Sequence, residues 1–168
     1  MSVHSAAGHL GEREPLIGAS LAPAHGGQGR VVEHGRRYTM TRTHSDGISD
    51  LSIDTIDHDG VVVMAVTGDI DITNAGQLRA AIEDGLNSCP VGIVVYLAVG
   101  FLASSGLSIL GEANQRARQA GTGFAVVATV RSARRSLLTA GMDRVLLLHE
   151  TVPHAVEALR TAAAHREA

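Results

Sequence analysis

The chain has 168 residues, a formal net charge of −3, 45% hydrophobic and only 18% charged residues, enough for one ordinary hydrophobic core and too apolar for a disordered polyelectrolyte. Its fourteen basic side chains are all arginine, which excludes a phosphate-loop lysine and any Schiff-base mechanism, and the near-neutral balance carries no footprint for nucleic acid or anionic lipid. A lone cysteine, Cys89, excludes an internal disulfide and a cysteine-cluster metal site.

Composition changes near residue 48. Residues 1–47 carry five of the nine histidines and a glycine-rich patch at Gly26, Gly27 and Gly29, with five Arg against four acids. No apolar period persists there, so the segment buries too little to offset its ordering entropy and is expected to be a disordered arm. The spacing of His4, His9, His25, His34 and His44 fits no metal-ligand pattern. Residues 48–168 form the expected folded domain, with nine Arg against thirteen acids. No leading charged-then-apolar signal pattern is present, and the longest apolar run, Val91 to Ala103, is short of a bilayer span and broken by Gly92 and Gly100. A soluble, cytoplasmic protein without membrane association is expected.

From Ile48 onward, strand and helix periods alternate. Leu51, Ile53 and the stretch to Asp57 predict a first, edge-like strand, and Asp59-Gly60 predicts a hairpin into the next. Val61 to Val66 is a continuous apolar run, as in a strand covered on both faces. After Gly68-Asp69-Ile70-Asp71, the recurrence of Leu78, Ile82 and Leu86 predicts a helix opened near Thr73 or Asn74. Gly92 to Leu97 predicts a central strand. Leu107, Leu110, Ala113 and Ala117 then mark a second helix closed by Gly121. Phe124 to Ala128 is a further buried strand, followed by a short helix capped by Ser132 and ending at Gly141. Val145 to Leu148 predicts the last strand, and Thr151, with Pro153 behind it, opens a final helix. This order implies an α/β fold: a mixed, mostly parallel sheet of four to five strands with about four helices and one hairpin edge.

The chemistry-bearing stretch is Phe101-Leu102-Ala103-Ser104-Ser105-Gly106-Leu107, at the turn from the central strand into the second helix. Such turns lie at the carboxyl edge of an open sheet, where ligands and partners bind. Two hydroxyls there meet the positive end of a helix with unpaired N–H groups. A phosphate on Ser104 is tolerated by those donors, yet adds about −1.5 to −2 charges to any surface a partner uses. The bland alternative is that Ser104 or Ser105 is a helix N-cap. A hydrolase elbow is disfavoured: it needs glycine on both sides of the serine, and Leu102 stands at one of the two positions. Asp69 and Asp71 lack a third ligand nearby, and His149 and His154 are poorly spaced for one ion, so no metal, cofactor or catalytic residue is expected. Arg131, Arg134 and Arg135 form a small basic cluster, read as a solvated helix face.

These landmarks, in order, resemble the STAS domain, in particular the bacterial anti-sigma factor antagonists. Gly68-Asp69-Ile70-Asp71 is similar to that family's Gly-Glu-Leu-Asp, Asn74-Ala75-Gly76-Gln77-Leu78 to its first helix start, and Phe101 to Leu107 to its Phe-Met-Asp-Ser-Ser-Gly-Leu. The resemblance covers about Ile53 to Ala163. It implies a non-enzymatic switch in transcription and stress regulation. Such a domain binds an anti-sigma factor that is also a serine kinase and so frees the sigma factor; phosphorylation of one serine breaks the complex, and a serine phosphatase resets it. By position that serine is Ser104, with Asp71, Asn74, Ala103, Ser105 and Gly106 on the partner-facing edge. Two positions depart from the family: Ala103 replaces the usual Asp before the serine, and Tyr96 stands where an acid is common. A STAS scaffold or ligand-sensing module that is not phosphorylated is the alternative reading.

Overall fold

The computed structural model describes residues 29–33, 36–44, 51–88 and 91–168. Strands β1 (Gly29–Glu33), β2 (Arg36–His44), β3 (Ser52–His58), β4 (Val61–Ile70), β5 (Gly92–Leu102), β6 (Gly123–Ala128) and β7 (Leu147–His149) follow one another across a single sheet. Helices α1 (Ala75–Ser88), α2 (Ser104–Gln119), α3 (Arg131–Thr139) and α4 (Val152–Glu167) link or follow the parallel strands. Pairing is antiparallel through β4 and parallel from β4 to β7. The five strands β3–β7 and four helices are the α/β domain read from the sequence.

Two short strands lie ahead of the domain, at residues 29–44. There β1 and β2 form an antiparallel pair that extends the sheet beyond β3, so β3 is an inner strand rather than an edge. Arg36 to His44 is rich in threonine, a β-favouring residue, and backbone pairing onto an existing strand does not require apolar alternation. Residues 1–28 lie outside the described residues, as does Cys89.

The hairpin is formed as expected. Asp59 and Gly60 both take positive φ, 53° and 88°, the backbone of a type I′ turn. The Asp57 carboxylate fixes it by accepting the Gly60 N–H at 2.8 Å. Alternate residues of β4–β6 then point to opposite faces. Val62, Met64, Ile93, Val95, Phe124 and Val126 join Leu78, Ile82, Leu110, Ala113 and Leu137 in one core beneath α1, α2 and α3. Val61, Val63, Val94, Ala125 and Val127 pack under Ala155 and Leu159 of α4. The two-sided burial explains why these strands read as unbroken apolar runs. Across the outer groove of α1 and α2, Arg79 pairs with Glu112 and Arg116 with Glu83. The Arg79 guanidinium holds the Glu112 carboxyl below its usual range, although pairs this exposed contribute little to stability.

Three element ends differ in detail from the sequence reading. Strand β5 runs on to Leu102, because Val99 and Leu102 remain buried and Leu102 is still in register with Ile70. At α3, Val130 is the N-cap and Ser132 instead donates to the Gly100 carbonyl at 2.7 Å, tying the start of α3 to the end of β5. After Gly141 in the left-handed region (φ 69°), Met142–Arg144 make a 3-10 turn, and the Val145 and Leu146 N–H groups bond back to Met142. That turn delays the last strand to Leu147. Thr151 does cap α4, accepting the His154 N–H at 3.4 Å.

Candidate functional site

The carboxyl edge of β4 and β5 meets the start of α2 in one compact corner. The β4–β5 register shifts between Gly68 and Ile70, and the Ala103 N–H bonds to the Ile70 carbonyl at 2.9 Å. Helix α2 begins at Ser104 with Ala103 as its N-cap and no side chain capping it. Its first intrahelical bond runs from the Leu107 N–H to the Ala103 carbonyl, 3.1 Å. The N–H groups of Ser104, Ser105 and Gly106 therefore face outward from the positive end of a sixteen-residue helix.

The two serines differ. Ser104 is exposed. Ser105 is half-buried, and its Oγ lies inside with no hydrogen-bond partner among the described residues. Neither is the helix cap, so the bland alternative is set aside by the geometry: the cap position falls on Ala103, whose methyl group accepts no hydrogen bond. Gly106 is buried because the helix start sits tight on the strands. A Cβ there would approach Leu102 Cδ1 to 2.7 Å and Ile70 Cγ2 to 2.8 Å, closer than real contacts allow.

Beside it, the loop from β4 to α1 is closed by its own side chains. Asp71 Oδ1 accepts from Thr73 Oγ1 at 2.5 Å and from the Thr73 N–H at 2.7 Å. Asn74 is 1% exposed; its Oδ1 accepts the Asp71 N–H at 2.9 Å and its Nδ2 donates to the Asp69 carbonyl at 2.8 Å. The expectation that Asn74 faces a partner is corrected here, since both ends of its amide brace the loop from inside. Asp71 stays half-exposed beside it.

The hydrogen bonds from Thr73, and then Asn74, hold the Asp71 carboxyl below the usual aspartate range. A lowered folded value means that this contribution to stability is complete above the ordinary aspartate pKa and is lost as pH falls through the folded one. Asp71→Ala is accordingly expected to lower the unfolding temperature at neutral pH, with the gap to wild type shrinking in acid. A carboxyl NMR titration of Asp71 with its midpoint at or above the ordinary value would contradict this account.

Two apolar side chains complete the corner and were not singled out from the sequence. Ile72 is 83% exposed at the tip of the β4–α1 loop, and Phe101 is 56% exposed at the end of β5. Apolar type alone argues for the core, and only the local backbone shows that they point outward. Asp69, exposed beside them, lies over Gly100, where a Cβ would come within 2.9 Å of its Oδ1. Tyr96, the second departure from the family pattern, hydrogen-bonds through its hydroxyl with Thr129 Oγ1 at 3.2 Å. Among the described residues no group of His, Cys, Asp or Glu is arranged to hold a metal ion, and no helix is long and apolar enough to cross a membrane.

Comparison with known proteins agrees with this architecture. The STAS domain family pattern matches residues 52–155. The anti-sigma-F factor antagonist RsfB of Mycobacterium tuberculosis is 33% identical over 111 residues, which span 66% of this chain and 90% of RsfB. The crystal structure of an anti-sigma factor antagonist from Mycobacterium paratuberculosis superposes with a TM-score of 0.63 at 36% identity, covering 68% of this chain and 97% of that one. The anti-sigma factor antagonist SpoIIAA in its unphosphorylated form shares the fold at 16% identity, with a TM-score of 0.54 over 66% of this chain and 96% of its own. The chain belongs to the STAS domain family, and it is similar to members of that family known as anti-sigma factor antagonists.

Proposed function

We propose that this protein is a cytoplasmic anti-sigma factor antagonist. It binds an anti-sigma factor with serine kinase activity through the corner centred on Ser104, and so frees the sigma factor. Phosphate on Ser104 breaks the complex, and a serine phosphatase restores it. Asp71, Ala103 and Ser105 flank the serine on the contact surface, Gly106 lets α2 start close against β5, and Asn74 supports the loop from beneath. No chemistry of its own is assigned to the protein: it works as a binding switch.

The observation that carries this reading is the exposed Ser104 at the first turn of a helix that no side chain caps, with Ile72 and Phe101 exposed at the ends of the adjoining strands. A kinase can reach that hydroxyl without unfolding the domain. The phosphate then lies near N–H groups that no side chain occupies, so the domain tolerates it. Ala103 is compatible with this. An aspartate in its place would bring a second negative charge to the same helix end.

The test is phosphorylation of the full chain by the host's kinase-type anti-sigma factor and ATP, followed by mass-spectrometric mapping. A single phosphate on Ser104, absent from Ser104→Ala, is expected. Phosphate on another residue, or a complex that ATP leaves unmodified and intact, would overturn the switch.

A further inference from the structure

Helix α3 carries a feature that the Ser104 corner does not use. Arg131, Arg134, Arg135 and Leu138 fall at i, i+3, i+4 and i+7, one stripe of the helix, and all four are exposed. The opposite stripe, Ala133 and Leu137, is fully buried. The next segment adds exposed Arg144, Val145 and Leu147. From Arg131 to Arg144 there are four arginines against one acid, Asp143, in a chain whose net charge is −3. Only Arg134 of the four has an ion-pair partner among the described residues, Glu150 at 3.8 Å.

Solvation alone accounts for arginines on a helix face, but it does not account for the apolar side chains beside them. Leu138, Val145 and Leu147 are each about half exposed, at 47%, 53% and 48%, and β7 is the last strand of the sheet, with its outer edge unpaired. Arg134, Leu137, Leu148, His149 and Glu150 also line a recess of about 40 Å³ between α3 and β7, and His149 Nε2 lies buried there without a hydrogen-bond partner among the described residues. Charged donors around exposed apolar side chains are what an acidic partner carrying apolar residues would cover. The patch is continuous with the Ser104 corner, because Ser132 of α3 bonds to the Gly100 carbonyl next to Phe101.

We infer that the arginine stripe of α3, with Leu138, Val145 and Leu147, is a second contact for the same anti-sigma factor and receives an acidic, apolar-bearing segment of it. This inference rests on the proposed function. The stripe supplies attraction that is independent of Ser104: it speeds encounter, and it is screened by salt.

The test compares three full-length proteins for binding to the host's kinase-type anti-sigma factor at about 50 and 200 mM salt. These are wild type, Arg131→Glu/Arg135→Glu, and Arg118→Glu/Arg166→Glu. The last pair makes the same change in net charge at the ends of α2 and α4, the opposite edge of the sheet. Thermal unfolding confirms that each is folded. The α3 variant is expected to bind about tenfold or more weakly at low salt with a flattened salt dependence, and the control to stay near wild type. Equal binding by wild type and the α3 variant, or equal weakening in both variants, overturns the stripe and leaves the Ser104 reading standing. If wild type binds no anti-sigma factor, the reading itself fails and the stripe with it.

Discussion

Ser104→Glu is expected to lose its anti-sigma factor by about 30-fold or more, while Ser104→Ala holds it whether or not ATP is present. A carboxylate at position 104 places a fixed negative charge in the middle of a surface that must be desolvated on binding. Leaving such a charge unpaired costs about 2–5 kcal/mol, and about 1.4 kcal/mol is tenfold in affinity. The fold itself does not object. Ser104 is exposed, and it lies in the first turn of α2, where a negative charge interacts favourably with the helix dipole. Ser104→Glu is therefore expected to unfold at or slightly above the wild-type temperature, so that a loss of binding reflects the contact rather than the domain. Titration calorimetry with purified anti-sigma factor, with and without ATP, measures both variants. Similar affinities for the two would remove Ser104 from the contact surface.

How much of this was legible in the sequence depends on which interaction fixes each residue. The β3–β4 hairpin was, because Asp59-Gly60 meets a local need for positive φ that few other pairs satisfy. The double-faced strands were, because burial on both faces forces unbroken apolar runs such as Val61 to Val66. The Thr151 cap was, because it depends only on the next three residues. The caps of α2 and α3 were not. Their positions are set by how far β5 and β6 continue, which is decided by pairing with other strands and so lies outside any local window. Ser132 looks like a cap in sequence, yet it serves a carbonyl 32 residues away. The β1–β2 pair rests on backbone pairing, which leaves a weaker sequence signal than burial does.

The candidate site shows the same division. Ser104 was found through its turn motif, and the structure adds that its hydroxyl makes no cap. Asn74 stands among polar residues at a helix start and reads as a surface group; only the loop geometry shows both ends of its amide turned inward. Ile72 and Phe101 are missed for the opposite reason. Apolar type argues for the core, and their exposure follows from the shift in β4–β5 register and from a turn that carries Ile72 past the end of the sheet.

Phe101 and its neighbour Leu102 separate binding from folding. They are adjacent on β5 and point to opposite sides, with Phe101 56% exposed and Leu102 4% exposed. Leu102 fills the corner against Ile70 and the start of α2, so Leu102→Ala leaves a cavity and is expected to cost about 2–5 kcal/mol of stability. Phe101→Ala removes a ring that packs largely against water, so its unfolding free energy is expected to stay within about 0.5 kcal/mol of wild type. Binding should respond the other way. An exposed aromatic three residues before Ser104 is the kind of side chain that anchors an interface, and truncating such an anchor costs about 2 kcal/mol or more, about 30-fold in affinity. Denaturant unfolding and calorimetry on the same two proteins read both quantities. A Phe101→Ala protein as stable as wild type that binds equally well would move the contact away from the β5 end, and with it the argument that Ile72, Phe101 and Ser104 form one surface.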